Sequence, residues 1–300
     1  MLSISDTSQN RNTGCFAMSL TVFLAVMGAA LMHAVWNALV KGGPDKLMNM
    51  TAIVLGHIPI VLILFPFVDV PARESWPYLI GSIGLHIGYQ LFLILAYRLG
   101  DLSQVYPIAR GSSPLIVAAV SVLVLGVTLQ VSEWLAIVVI GLGILSMCIV
   151  RQADGMRNRN AALAAIITGC FISSYSLVDG TGARLAGSAL DYYAYQTVGD
   201  VLIFGLIATV MRPRILVDVA KRGKRIFFVG GTASFVAYAT VMWAFTQAPI
   251  PLVVALRETG IVFALFIGVF FMGEKLNLVK VSSTMMTLGG AIILRLAKSL

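Results

Sequence analysis

Charged residues are scarce in this sequence. Asp, Glu, Lys and Arg together make up 11% of its 300 residues, whereas they make up about 25% of a typical soluble globular protein. Hydrophobic residues make up 59%. This composition excludes a soluble globular domain, and it predicts an all-α integral membrane protein surrounded by a lipid bilayer.

Cysteine is also scarce, which excludes two kinds of site. The three residues Cys15, Cys148 and Cys170 are odd in number and widely separated, so they form neither a disulfide framework nor a metal-binding motif. We therefore predict no metal and no cofactor. The net charge of +8 does not indicate nucleic acid, because the basic residues lie in short loops where they set membrane orientation.

Ten apolar stretches are long enough to span a membrane, because a hydrocarbon core of about 30 Å needs about 20 apolar residues. Residues 1–16 form a polar tail without the basic start of a signal peptide, so we expect the first stretch to be retained. The predicted spans are residues 17–40, 47–68, 76–97, 103–126, 131–150, 161–179, 190–211, 226–246, 250–272 and 277–296.

The sequence contains an internal repeat. Arg110, Gly126 and Gly143 recur about 147 positions later as Arg257, Gly273 and Gly290. This spacing predicts two copies, residues 17–150 and 160–300, joined by a linker at 151–159. Since five spans per copy is an odd number, the repeats are expected to be inverted, with a substrate site between them near the bilayer midplane.

Two arginines lie at matching positions inside apolar runs. A charge at this depth is costly and by default marks a functional position that faces the bundle interior. We predict that Arg110 and Arg257 flank a central cavity and that at least one contacts a substrate anion. The alternative is that each arginine snorkels or pairs structurally.

Polar and aromatic residues form stripes on two spans of the first copy. His33, Trp36 and Asn37 are spaced i, i+3, i+4, and His86 and Tyr89 begin a second such stripe. The pair of stripes predicts one shared cavity, although each histidine alone could be a donor satisfied between helices. Further candidates for the cavity wall come from the fourth and eighth spans: Tyr106 and Tyr238. His57 lacks polar neighbours at this spacing and is predicted to be structural.

Carboxylates within the spans are candidates for charge compensation or proton coupling. Asp200 lies mid-span, where we expect it to be paired or protonated. Glu258 follows Arg257 directly, and adjacent helical residues diverge by about 100°, so the two are expected to face different neighbours. Asp179 is placed near the end of the sixth span and is not one of these candidates.

Three motifs resemble the drug/metabolite transporter superfamily, of the EamA-domain type. They are residues 33–41 (HAVWNALVK), residues 101–110 (DLSQVYPIAR) and Met272-Gly273-Glu274. The resemblance covers nearly the whole chain, but members also carry a Gly-Glu pair after the fourth helix, and here Val127 follows Gly126. It implies a ten-helix basket, with helices 1, 3, 4, 6, 8 and 9 around a cavity, that exports or exchanges small metabolites.

These features favour a secondary transporter of an amino acid or another carboxylate-bearing solute, monomeric in the bacterial inner membrane. One alternative is a multidrug or cation exporter, although small pumps of the superfamily use a glutamate in helix 1, where this chain has His33 and Asn37. Another is a non-transporting sensor or assembly subunit. No Gly-x-Gly-Asp motif or glycine-flanked serine supports an enzyme.

Two arguments about the orientation of the chain in the membrane disagree. Lysine and arginine are enriched on the side that holds residues 151–159 and 212–225, which predicts that this side is cytoplasmic and that both termini are outside. The family resemblance implies termini inside.

Overall fold

The structure is a computed structural model that describes residues 18–42, 45–99, 102–146, 159–272 and 278–296. These ranges contain helices and no β-strand. The predicted polar tail and nearly all of the predicted linker lie outside them, as does the Gly273-Glu274 motif.

Six helices make up the described part of the first half. They are α1 (Leu20–Gly42), α2 (Lys46–Leu55), α3 (Ile58–Leu64), α4 (Trp76–Leu99), α5 (Leu102–Leu123) and α6 (Val131–Ser146). Short 3₁₀ turns at Phe65–Phe67 and Arg73–Ser75 flank the connection between α3 and α4.

Seven helices follow in the second half. They are α7 (Arg159–Leu185), α8 (Ala189–Met211), α9 (Ile215–Arg222), α10 (Gly231–Gln247), α11 (Ile250–Arg257), α12 (Gly260–Met272) and α13 (Leu278–Leu296). A π-helical turn, Ile226–Gly230, leads into α10.

The described helices include seven segments that are long and apolar enough to cross a membrane. Three shorter apolar segments, Ile108–Leu123, Val131–Gly143 and Thr284–Leu294, accompany them. The protein is therefore a multi-pass, all-helical membrane protein. Inside the bundle, α7 packs against α4 and α5, while α1 packs against α10 and α12.

Two of these membrane segments are broken. Between α2 and α3, Pro59 has no N–H to donate to the carbonyl of Leu55, and the helix is interrupted at Gly56 and His57. Between α11 and α12, the N–H of Thr259 bonds to the carbonyl of Leu256 at 3.1 Å, which tightens the turn. Such breaks free backbone groups and redirect the side chains beside them.

The first break is held at a close crossing of two backbones. A Cβ atom on Gly56 would lie 2.1 Å from the carbonyl oxygen of Phe227, and one on Gly231 would lie 2.7 Å from the Cα of Gly56. Only glycine fits at both positions. The crossing fixes His57 beside α10.

Candidate functional site

Arg110, Arg257 and Glu258 form a buried group that we call the arginine–glutamate cluster. Arg110 Nη1 on α5 donates to both carboxylate oxygens of Glu258, at 3.0 and 3.1 Å. At the end of α11, Arg257 donates to Glu258 Oε1 from Nη2 at 3.0 Å and from Nε at 3.2 Å. One carboxylate thus lies between two guanidinium groups contributed by the two halves of the chain.

The expectation that Arg257 and Glu258 face different neighbours is wrong. It assumed a continuous helix, but α11 ends at Arg257 and Glu258 lies in the turn before α12. The break turns the two adjacent side chains toward each other.

The arginine–glutamate cluster is almost completely removed from solvent. Arg110 is 7% exposed, Arg257 1% and Glu258 3%. Within the described part of the chain, Arg257 Nη1 is buried and has no hydrogen-bond partner. An unused donor on a buried cation is costly, so this atom is a candidate contact for an anion.

A second buried group, the aspartate–histidine cluster, consists of Asp179, His86 and Tyr238. His86 Nε2 lies 2.9 Å from Asp179 Oδ2, and the Tyr238 hydroxyl donates to the same oxygen. Asp179 is 0% exposed, and its other carboxylate oxygen has no partner among the described residues. Three helices, α4, α7 and α10, therefore meet at one carboxylate.

A single tyrosine ring separates the two clusters. The ring of Tyr175 stacks on His86 with a centroid distance of 4.2 Å, and Arg257 Cζ lies 6.0 Å from the centre of the same ring. Tyr175 is a site residue that the sequence-based prediction missed, as is Asp179. The signal was present in their spacing, because Tyr175 and Asp179 are four residues apart and share a helix face.

A cavity of about 60 Å³ lies beside these clusters. Six predicted site residues line it, namely His33, Trp36, His86, Tyr89, Asp200 and Tyr238. His57, which was predicted to be structural, also lines it, and its Nε2 has no partner among the described residues. Other buried atoms of the wall also have no partner among the described residues, and they include His33 Nδ1 and Trp36 Nε1.

Asp200 is held by a neutral partner. Gln90 Nε2 donates to its two carboxylate oxygens at 2.8 and 3.1 Å. The sequence predicted a paired or protonated Asp200, and the described residues supply an amide rather than a cation.

Other predicted site residues lie away from the cavity wall. Asn37 donates to the backbone oxygen of His33, one turn back in its own helix, at 2.7 Å. Arg110, Arg257 and Glu258 are not among the lining residues and lie behind the wall. The side chain of Tyr106 lies outside the described part of the structure. Among the described residues, no group of three His, Cys, Asp or Glu side chains could hold a metal ion.

The comparison with protein families identifies the class of protein. The model of the EamA-like transporter family matches the chain twice, at residues 20–149 and 159–296. The chain belongs to the EamA-like transporter family. It is thereby a permease of the drug/metabolite transporter superfamily, as the motifs at residues 33–41 and 101–110 predicted.

A solved structure has the same fold as this family member. It is titled "Crystal structure of protein" and aligns over 92% of this chain and 96% of its own length, with a TM-score of 0.72. Because the two sequences are only 16% identical, the similarity shows a shared fold and nothing further. No curated protein has a significantly similar sequence.

Proposed function

We propose that the protein is a secondary transporter that exports or exchanges a small carboxylate-bearing metabolite, with an amino acid as the first candidate. The observation that carries this proposal is the arginine–glutamate cluster. Two permanently charged guanidinium groups share the carboxylate of Glu258, and Arg257 Nη1 has an unused donor.

A solute carboxylate would complete this cluster. Guanidinium groups bind carboxylates through two parallel N–H donors, and such contacts are strong where water is excluded. Tyr175 is part of the cavity wall and lies beside Arg257, so binding requires this ring to shift as the cavity opens. Trp36 Nε1 offers a further buried donor on the wall.

The cavity also suits the cationic end of an amino acid. Asp200 lines it and is held only by the amide of Gln90 among the described residues, so its carboxylate can accept an ammonium group. The cavity volume of about 60 Å³ is well below the roughly 300–1,000 Å³ of sites for drug-sized molecules. A small zwitterion fits these features better than a large drug.

The proposed architecture is ten spans in two inverted five-helix repeats that alternate access to a central site, in a bacterial inner membrane. The seven long and three shorter apolar segments support the number of spans. The two matches to one family model support the repeat. Broken helices are also typical of transporters whose site lies between inverted repeats.

Uptake by proteoliposomes tests the proposed substrate class. Purified protein is reconstituted and preloaded with unlabelled solute, and a panel of labelled amino acids, carboxylates without an amine, and organic cations is added. We expect exchange of at least one amino acid above the rate in protein-free liposomes. Exchange of none of the carboxylates would contradict the proposal.

A second candidate function, export of an organic cation, is favoured by one observation. The described cavity wall carries five aromatic rings and the carboxylate of Asp200, and both arginines lie behind it. Aromatic faces and a carboxylate are what a cation site needs. Transport of tetraphenylphosphonium, with no transport of amino acids, would establish this function instead.

We propose that residues 212–225 face the cytoplasm, because they carry six basic residues and one acidic residue. Val217 is 50% exposed, and Gln247 is exposed at the far end of α10. Single cysteines at these positions, in a background without the three native cysteines, are treated with an impermeant thiol reagent on intact cells. Labelling at 247 only is expected, and labelling at 217 only would reverse the orientation.

A further inference from the structure

We infer that the aspartate–histidine cluster is a proton-binding site whose loading is linked to solute in the cavity. This inference rests on the proposed transport function and extends it to a coupling ion. It assigns a role to Asp179, which the sequence did not single out and which does not line the cavity.

The geometry makes His86 the member of the cluster that exchanges a proton with the cavity. Asp179 is 0% exposed and lies behind His86 and Tyr238, which both line the cavity. When the carboxylate is ionised, it can only accept hydrogen bonds, so His86 Nε2 carries the hydrogen that it shares with Asp179 Oδ2. Nδ1 is then the atom that gains a proton, and the side chain is 12% exposed to receive it.

The charged and titratable groups around His86 come from six places. The group closest to its ring nitrogen is Asp179 on α7, at 2.9 Å. The others are Tyr175 on α7, Tyr238 and Tyr193 on α10 and α8, Asp200 on α8, His57 at the first helix break and Tyr89 on its own helix. Arg257 lies on the far side of the Tyr175 ring. Asp179 is the ion-pair partner of His86 among the described residues, so a proton on the ring would lie beside its charge.

Two other buried carboxylates, Glu258 and Asp200, suit this task less well. Protonation of Glu258 would leave two buried guanidinium groups without their shared counter-ion, which is costly. Asp200 has the amide of Gln90 as its hydrogen-bond partner, and among the described residues no hydrogen bond joins it to a base. Histidine is the side chain whose charge ordinarily changes between pH 5 and 8, and His86 is the one held by a carboxylate.

The sign of the linkage follows from charge. A proton on His86 adds a positive charge to the cavity wall, which strengthens the binding of a carboxylate solute. Reciprocally, a bound carboxylate strengthens proton binding by the same factor. Solute and proton then cross in the same direction, the proton entering at His86 Nδ1 from one side and leaving from the same atom on the other.

Nitrogen NMR of the histidine rings tests the proton site without any solute. The chain has three histidines, so ¹⁵N-histidine spectra of the protein in lipid nanodiscs can be assigned with single His→Gln variants. We expect the ring nitrogens of His86 to titrate in one step, and the midpoint to fall by about one pH unit or more in Asp179→Asn, because the stabilising charge is lost.

Two variants serve as controls. His57→Gln removes the other histidine of the same cavity wall, and Tyr238→Phe removes a neutral donor while leaving the carboxylate. Both should change the midpoint of His86 less than Asp179→Asn does. An unchanged midpoint in Asp179→Asn, with His86 still in the folded bundle by its melting curve, would overturn the proton site. If Asp179→Asn does not fold, absence of any His86 titration in the wild-type protein between pH 5 and 9 would overturn it.

Proton movement tests the coupling. Proteoliposomes that contain a trapped pH-sensitive dye receive a mixture of the common L-amino acids outside, and we expect internal acidification that falls at least about tenfold in Asp179→Asn. Solute uptake without acidification would overturn the coupling but leave the proposed function intact. If the preloaded liposomes exchange none of the carboxylates in the uptake panel, the proposed function fails, and the NMR titration still decides whether His86 and Asp179 bind a proton.

Discussion

The two buried clusters of this transporter balance their charges in different ways. In the arginine–glutamate cluster, two guanidinium groups that cannot lose their protons share one carboxylate. In the aspartate–histidine cluster, one carboxylate is held by a histidine and a tyrosine, so the charge can change with the proton on His86. The first arrangement has a fixed charge and suits an anion, whereas the second has a variable charge and suits a proton.

Removal of the shared carboxylate should have the largest effect on stability. Glu258→Gln removes the carboxylate that two buried guanidinium groups share, and breaking a buried ion pair in this way costs about 3–5 kcal/mol. We expect a fall in the yield of folded protein and in its melting temperature in detergent.

A matched control for this change lies at the start of α6. Glu133 is also buried, at 9% exposure, but its carboxylate accepts a single backbone N–H, that of Gln130, at 2.8 Å among the bonds described. Loss of such a helix-terminal contact costs about 0.5–2 kcal/mol. The Glu133→Gln variant should therefore have a higher melting temperature than the Glu258→Gln variant. Equal melting temperatures would show that Glu258 is not a shared counter-ion.

Replacement of each of the two buried aspartates by asparagine should lower the stability of the protein by a different amount. Asp179→Asn weakens two contacts of a carboxylate, with an expected cost of about 1–3 kcal/mol. Asp200→Asn should cost less than about 1 kcal/mol, because the asparagine oxygen still accepts from Gln90. Melting in detergent measures both variants. If Asp179→Asn were more stable than Asp200→Asn, the contacts of Asp179 would not depend on charge more than those of Asp200 do.

An exposed ion-pair network provides the reference with the smallest effect. Arg212 contacts Asp45, which begins α2, and Asp218 on α9. Burial alone would raise the pKa of the Asp45 carboxyl, but hydrogen bonds from Met48 N–H and from Arg212 outweigh it, so the pKa lies below its ordinary value. The stabilisation is therefore present above the ordinary pKa of aspartate and is lost as pH falls through the folded value.

Arg212→Gln should accordingly lower the melting temperature slightly at pH 7 and low salt. Added salt screens exposed charges, so the difference from wild type should shrink as ionic strength rises, and it should also shrink toward acid pH. A difference that persists in concentrated salt would place this network among the buried pairs.

The sequence was enough to predict a membrane protein and its family, and to single out the two arginines as buried candidate site residues. A charge inside a long apolar run is conspicuous, and Arg110 and Arg257 recur at the same position of the repeat. Their shared partner could not be predicted, because the helix break at Glu258 and Thr259 contains no proline. Its cause is a local change of hydrogen bonding that depends on packing.

Asp179 was missed for a different physical reason. The apolar stretch predicted as the sixth span ends at Asp179, before Gly180, Thr181 and Gly182, but α7 continues to Leu185. The glycines allow close packing instead: a Cβ on Gly180 would lie 2.5 Å from Ile250 Cδ1, and one on Gly182 would lie 2.6 Å from the Tyr192 ring. Local sequence does not distinguish a glycine that ends a helix from one that lets a neighbour approach.

The affinity of purified protein for the amino acid that the uptake panel identifies tests the central claim most directly. Arg257→Lys and Arg110→Lys keep the charge but remove the planar pair of donors, while Arg212→Lys makes the same change at an exposed site. Loss of one charged hydrogen bond weakens binding about tenfold or more. The account predicts such a loss in Arg257→Lys and wild-type affinity in Arg212→Lys, and wild-type affinity in both buried variants would contradict it.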